Sequence, residues 1–311
     1  MVTPRDIHEA AEGLREGGIA RRTSLVYAEP LGAYLKLETE QPIGAFKIRG
    51  AYNAIRKLPD PARKRGVITY SSGNHGQAVA YAARQFGVRA VIVMPETAPA
   101  VKIDGVKRWG GDVVFAGTTS EDRYRKAEEL AAREGLAVVP PFDHVDIVAG
   151  QATVALEIVE QLPEVETVVV PVGGGGLIAG VVAGLAAAGS GAVVWGVEPA
   201  GAPKLHRSLD AGAPVRLERT ASVADGLITL TVGAIPFAEL ARHADRLRGV
   251  VLVQDDSIRE AVHFLWRTCR LAVEPSGAAT TAAIRSGAIP PSRATVLVVS
   301  GGNVDPSLLE D

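Results

Sequence analysis

The sequence predicts an α/β protein built on open, mainly parallel sheets covered by helices. Three observations carry that reading. Short β-branched runs recur, a helix-like stretch follows nearly every one, and the runs are continuously apolar rather than alternating. A strand covered by helices on both faces has no need of a polar side.

The elements can be justified in order. Residues 1–18 are polar and helix-like, with no signal-peptide core. Ala33–Glu38 reads as a strand, and a helix over Ala51–Leu58 begins after Gly50. Val67–Tyr70 precedes the helical stretch Gln77–Phe86, Arg89–Met94 precedes Ala100–Trp109, and Asp112–Ala116 precedes Glu121–Glu134. Ala137–Val139 is a further strand, followed by a helix over Val148–Leu162. Thr167–Val172 leads through a glycine run into the helix Leu177–Ala188, and Ala192–Val197 and Thr295–Val299 are later strands. The uncharged stretch 168–190 is broken by Pro171 and Gly173–Gly176, which makes it strand, loop and helix rather than a membrane span.

Composition bounds the function. At roughly 150 residues per domain, the 311 residues suggest two domains. Hydrophobic residues make up 47% and charged residues 22%, too apolar for a disordered chain and too charged for a membrane bundle. The net charge is −2 and no basic stripe is present, so neither nucleic acid nor membrane is expected as a partner. The single cysteine, Cys269, excludes an internal disulfide and any multi-cysteine metal site, and a reducing cytoplasmic setting is expected. Cys269 and His8, His144, His206, His243 and His263 show no ligand spacing and are read as structural.

Three loops and one lysine stand out. Gly173–Gly176 follows a strand and opens a helix, so its backbone N–H groups can converge on a phosphate. No GK[ST] follows, which excludes a P-loop. A dinucleotide site is a competing reading, with Glu198 as its ribose-binding acid, but Ile178 stands where that fingerprint needs glycine. The loop Ser71-Ser72-Gly73-Asn74-His75-Gly76-Gln77 offers hydroxyl, amide and backbone donors at a helix start, suited to a carboxylate or a phenolic oxygen, and otherwise to simple capping. Val299–Asp305 is a third glycine-containing turn. Lys47 has apolar neighbours, which lowers an amine's pKa and makes it nucleophilic toward a carbonyl; taken alone, it would read as a snorkelling side chain. Together, a lysine, a phosphate cup, a carboxylate loop and a hydroxyl at a strand end are the parts of a pyridoxal phosphate site.

Phe46-Lys47-Ile48-Arg49-Gly50-Ala51, Ser71–Gln77, Gly173–Gly176 and Ser300–Asp305, in this order and spacing, resemble the fold-type II pyridoxal phosphate enzymes. The likeness is to the threonine dehydratase and serine racemase branch, and it covers essentially the whole chain. It implies a tryptophan synthase β-like fold of two open sheets. It also implies a large domain of residues 1–57 and 144–311, with a small domain, 58–143, inserted into it. Lys47 is then the Schiff-base lysine and the base at Cα. Phe46 packs on the pyridine ring, Asn74 bonds the 3′-oxygen, Gly173, Gly174, Gly175 and Gly176 hold the phosphate, and Ser300 faces the pyridine nitrogen. Gly226 and Glu274 match positions near the ring, and Ser71, Ser72, Asn74 and His75 hold the substrate carboxylate. The implied activity is dehydration of L-threonine to 2-oxobutanoate and of L-serine to pyruvate, with release of ammonia, as in isoleucine biosynthesis. A homodimer or homotetramer is implied.

Departures from the pattern qualify the expectation. Position 45 is alanine where the family commonly has serine. Ser72 is the residue that serine racemases use as a second base, so serine or threonine racemisation is the alternative reading. A cysteine-synthase-like replacement enzyme fits less well, because that branch has threonine where His75 stands. Glu198 retains one ligand of the family's divalent-cation site, but Lys204 replaces an aspartate. Either the ammonium takes the cation's place, with no metal required, or the two residues form an ordinary surface pair. The chain ends soon after the third loop, so no C-terminal regulatory domain is expected. A non-catalytic binding protein on the same scaffold would have no need of Lys47.

Overall fold

In the computed structural model, residues 1–71, 73–98 and 100–309 are described. Ser72, one of the expected site residues, lies outside the described residues. The strands are β1 Leu25–Ala28, β2 Ala33–Leu37, β3 Val67–Thr69, β4 Ala90–Met94, β5 Asp112–Phe115, β6 Ala137–Val138, β7 Thr167–Pro171, β8 Val193–Pro199, β9 Leu247–Val253 and β10 Thr295–Val299. The helices are α1 Pro4–Gly17, α2 Lys47–Lys57, α3 Asp60–Arg65, α4 Asn74–Gln85, α5 Ala100–Arg108 and α6 Ser120–Glu134. They continue with α7 Val145–Gln161, α8 Gly176–Ala187, α9 Lys204–Ala211, α10 Ala234–Arg242, α11 Asp255–Cys269 and α12 Pro275–Arg285.

Two sheets result. One has six strands in the order β1-β2-β10-β7-β8-β9, and the other four in the order β5-β4-β3-β6. All pairings are parallel except the antiparallel β1–β2 pair. The four-stranded sheet is built wholly from the chain between Val67 and Val138. Strands β4, β7 and β10 are buried along their whole length, as continuous apolar runs between helical layers must be.

The sequence reading differs from the structure at several elements, each for a physical reason. Helix α2 begins at Lys47, not Ala51. Gly50 disfavours a helix locally, yet it lets α2 press against α7: a Cβ there would lie 2.8 Å from the Ile147 carbonyl oxygen. Gly150 answers from α7, where a Cβ would meet the Gly50 Cα at 2.6 Å. Tertiary packing overrides propensity here. Strands β1 and β9 were not expected; both are sheet edges with half-exposed residues, so they lack the continuous apolar run of the central strands.

Candidate active site

Lys47 opens α2 and is half-buried, its Nζ donating to the Pro141 carbonyl at 2.7 Å. Burial pulls its pKa down to about 8. The residue after Pro141 is Phe142, whose ring occupies the space beside Gly174. A Cβ on Gly174 would lie 2.2 Å from that ring, and one on Gly173 would lie 2.7 Å from the Gly226 carbonyl oxygen. Gly175 caps α8 at φ 91°, a left-handed conformation that favours glycine. The strip Gly173–Gly176 is thus a tight cradle in which a Cβ at 173, 174 or 175 would clash or strain, at the N-terminus of a twelve-residue helix whose first N–H groups lack intrahelical partners. Pro141-Phe142 physically joins this cradle to the lysine.

The other motifs converge on the same place. Ser300 follows β10, and its carbonyl accepts the Phe46 N–H at 3.1 Å. Ala45 and Gly301 form an isolated antiparallel bridge, and the Gly302 N–H donates to the Gly44 carbonyl at 2.8 Å. Asn74, first in α4, donates from Nδ2 to Glu274 Oε1 at 2.7 Å. Glu274 is buried, and burial pushes its carboxyl up to about 7; Asp225 adds to the rise, while the Asn74 hydrogen bond and Lys102 oppose it. Gly226 donates its N–H to Ser276 Oγ at 2.9 Å. The Ser71 Oγ accepts the Gly73 N–H at 3.4 Å.

His75 is brought to the site with its side chain turned away from a carboxylate-binding role. The imidazole is 2% exposed and its Nε2 lies 3.0 Å from the carbonyl oxygen of Val139, the residue after β6. Burial, reinforced by the Lys47 charge, pulls its pKa down to about 3, so it stays neutral. Only the backbone N–H of His75, in the first turn of α4, remains as an anion donor.

Glu198 and Lys204 are not a surface pair. Both side chains are fully buried, with Lys204 Nζ 2.9 Å from Glu198 Oε1. The same Nζ donates to the carbonyls of Val172, at 2.9 Å, and Ala202, at 3.2 Å. Glu198 caps α9 as well, accepting from the N–H groups of Leu205 and His206 at 2.9 Å each.

Several participants were not singled out in the sequence. They are Pro141 and Phe142, Ser276, and the Lys102–Asp225 ion pair between α5 and the turn that holds Gly226. A polar or glycine motif flags none of the first three. Asn303, by contrast, is marked in the sequence, as one of only three asparagines and a member of the third glycine-containing loop.

An amine of lowered pKa, a glycine cradle at a helix start and a hydroxyl-bearing strand end define a site for a phosphorylated aldehyde cofactor. The chain belongs to the pyridoxal-phosphate dependent enzyme family, whose pattern matches residues 18–301. It is 38% identical to an L-threonine ammonia-lyase of Thermotoga maritima, over 100% of this chain and 78% of that one. It is 37% identical to an L-threo-3-hydroxyaspartate ammonia-lyase of Saccharomyces cerevisiae, over 98% and 95% of the two chains. The solved structure of maize serine racemase superposes with a TM-score of 0.92 at 34% identity, covering 98% of this chain and 95% of that one.

Proposed function

We propose that the protein is an ammonia-lyase that converts L-threonine to 2-oxobutanoate and L-serine to pyruvate, with release of ammonia. The observation that carries this reading is the half-buried Lys47 amine, joined through Pro141-Phe142 to the Gly173–Gly176 cradle. Bound pyridoxal phosphate supplies the electron withdrawal that acidifies the substrate Cα–H. Lys47 is the base that takes this proton, and a pKa of about 8 suits a base near neutral pH. The N–H groups opening α8 hold the phosphate, and Asn74, Glu274, Gly226, Phe46 and Ser300 border the ring. The N–H groups at the start of α4, with Ser71 and Ser72, receive the substrate carboxylate. A serine hydroxyl at position 300 cannot hold a full positive charge on the ring nitrogen as an aspartate would, which favours prompt loss of the β-hydroxyl over transamination. Water leaves in the elimination and one water returns in hydrolysis, so the net change is deamination.

Racemisation of serine is the second reading, favoured by Ser72 in the sequence and the likeness to maize serine racemase. One experiment separates the readings. Purified enzyme with cofactor is given L-threonine or L-serine, and 2-oxo acid and D-serine are both measured. Oxo acid formation that vanishes in Lys47→Ala supports the lyase; D-serine as the main product would replace it by the racemase.

The same reading assigns residues 1–57 and 144–311 to a cofactor-binding domain and 58–143 to a substrate-loop domain, in a cytoplasmic homodimer or homotetramer. Among the described residues, no helix is long and apolar enough to cross a membrane.

A further inference from the structure

A chain of three side chains, Asn303, Asn74 and Glu274, starts from the Lys47 segment. The Asn303 Nδ2 donates to the Ile43 carbonyl at 2.9 Å and to Asn74 Oδ1 at 2.8 Å. Asn74 Nδ2 then donates to Glu274 Oε1 at 2.7 Å. The direction of this chain is forced from one end. A backbone carbonyl only accepts, so the Asn303 amino group must face Ile43, and its second N–H then points at an acceptor 2.8 Å away. That acceptor is the Asn74 oxygen, which leaves the Asn74 amino group facing Glu274 whatever the protonation of that carboxyl. The Asn74 amide would otherwise be free to present either end. Gly44 makes room for the arrangement: a Cβ there would lie 2.7 Å from Asn303 Oδ1.

We propose that Asn303 is a positioning residue, which fixes the Asn74 amide with its N–H groups toward the cofactor ring through a relay anchored at Ile43. The inference rests on the reading above that Asn74 borders the cofactor. Asn74 spends one N–H on Glu274, and the second has no acceptor among the described residues. A donor held there stabilises negative charge on the ring's phenolic oxygen, and so tunes how tightly the adjoining lysine nitrogen keeps its proton. Ile43 lies four positions before Lys47, so the segment that carries the base also orients the donor.

The relay is tested with Asn303→Asp and Asn303→Ala in the holoenzyme. Aspartate keeps the shape but removes both donors, so Asn74 must turn to donate to it. The visible absorption band of the bound cofactor is recorded against pH, and cofactor release is followed during dialysis. Asn303→Asp is expected to move the pH midpoint of the band by about one unit and to speed release about tenfold, the scale of one lost hydrogen bond. Asn303→Ala is expected to shift both less, and Asn303→Asp to add nothing in an Asn74→Ala background. If Asn74→Ala alone leaves the band and release unchanged, the placement of Asn74 beside the cofactor fails. If Asn74→Ala alters both while neither Asn303 variant does, the placement stands and the relay is wrong.

Discussion

Lys204 Nζ binds the Glu198 carboxylate and the Val172 carbonyl at the same distance, 2.9 Å, inside the base of the glycine cradle. With the Ala202 carbonyl it has three oxygen acceptors, matching the three N–H bonds of an ammonium; a neutral amine has only two. The lysine thus does what a bound cation would do, tying β7, β8 and the start of α9 together one residue before Gly173. Activity is therefore expected to survive exhaustive chelation, and a loss restored by Mg²⁺ would contradict the assignment. Lys204→Met should cost about 3–5 kcal/mol, because Glu198 is left buried without a counter-charge. Denaturant unfolding measures this, and Glu198→Gln added to Lys204→Met should recover part of the loss.

Gly174→Ala tests the cradle. The new methyl would overlap the Phe142 ring, which must turn aside, and Phe142 adjoins Pro141, whose carbonyl holds Lys47. Overpacking of this kind costs about 1–3 kcal/mol, so cofactor binding should weaken roughly tenfold or more. Titration of the visible band with added cofactor checks it, with the melting temperature of the cofactor-free chain as control. Unchanged affinity would mean that the phosphate is not held by this strip.

The site was more legible in the sequence than the frame around it. Lys47 and Gly173–Gly176 stand out because their chemistry demands particular residues, an amine that can be neutral and a glycine backbone, whereas the roles of Asn74 and Ser300 are implied by the family resemblance. The geometry brings these residues together. Pro141 and Phe142 stayed invisible because a backbone carbonyl and a space-filling ring are not specified by residue type. The start of α2 was misplaced because Gly50 is read locally as a helix breaker, whereas its purpose is the crossing with Gly150. Edge strands β1 and β9 escaped for the opposite reason to the central strands: their half-exposed pattern resembles loop. The buried state of Glu198 and Lys204 was also beyond sequence, which gave their spacing but not their depth.

Arg49 anchors the helix that Lys47 opens. Its guanidinium is 1% exposed and grips Glu38 through Nε and Nη2, both at 2.8 Å, and Glu157 through Nη1 at 2.6 Å. Lys36, also fully buried, completes the group with a 2.6 Å bond to Glu157 Oε2, so two cations balance two anions. Removing one member leaves charge without a partner. Arg49→Met is expected to destabilise by about 3–5 kcal/mol. Arg49→Lys should also cost measurably, since an ammonium cannot reproduce the fork that spans both carboxylates. Because α2 is held by this group, cofactor release should quicken in Arg49→Lys. Stability and release unchanged in both variants would show the network to be idle.

The lowered pKa of Lys47 predicts opposite effects on function and on stability. In the cofactor-free chain, an amine titrating at about 8 is neutral in about one molecule in ten at pH 7. Only the neutral form attacks the cofactor aldehyde, so the rate of reconstitution should climb with pH and level off above about 8.5. A midpoint near 10.5, the ordinary lysine value, would show that burial does not tune the amine. For stability the same depression is a cost. The folded state holds the proton less tightly than the unfolded chain, so there is no penalty above 10.5, where both are neutral; it grows as pH falls from 10.5 to 8 and is full below 8. At neutral pH the folded chain therefore carries a penalty of about 3 kcal/mol, which Lys47→Met removes at the cost of about 1 kcal/mol for the bond to Pro141. Cofactor-free Lys47→Met should be the more stable protein by about 2 kcal/mol at pH 7, with the advantage gone above pH 10.5. Urea unfolding at pH 7 and pH 10.5 decides it, and a variant less stable at both would mean that Lys47 is held in place for packing rather than for its chemistry.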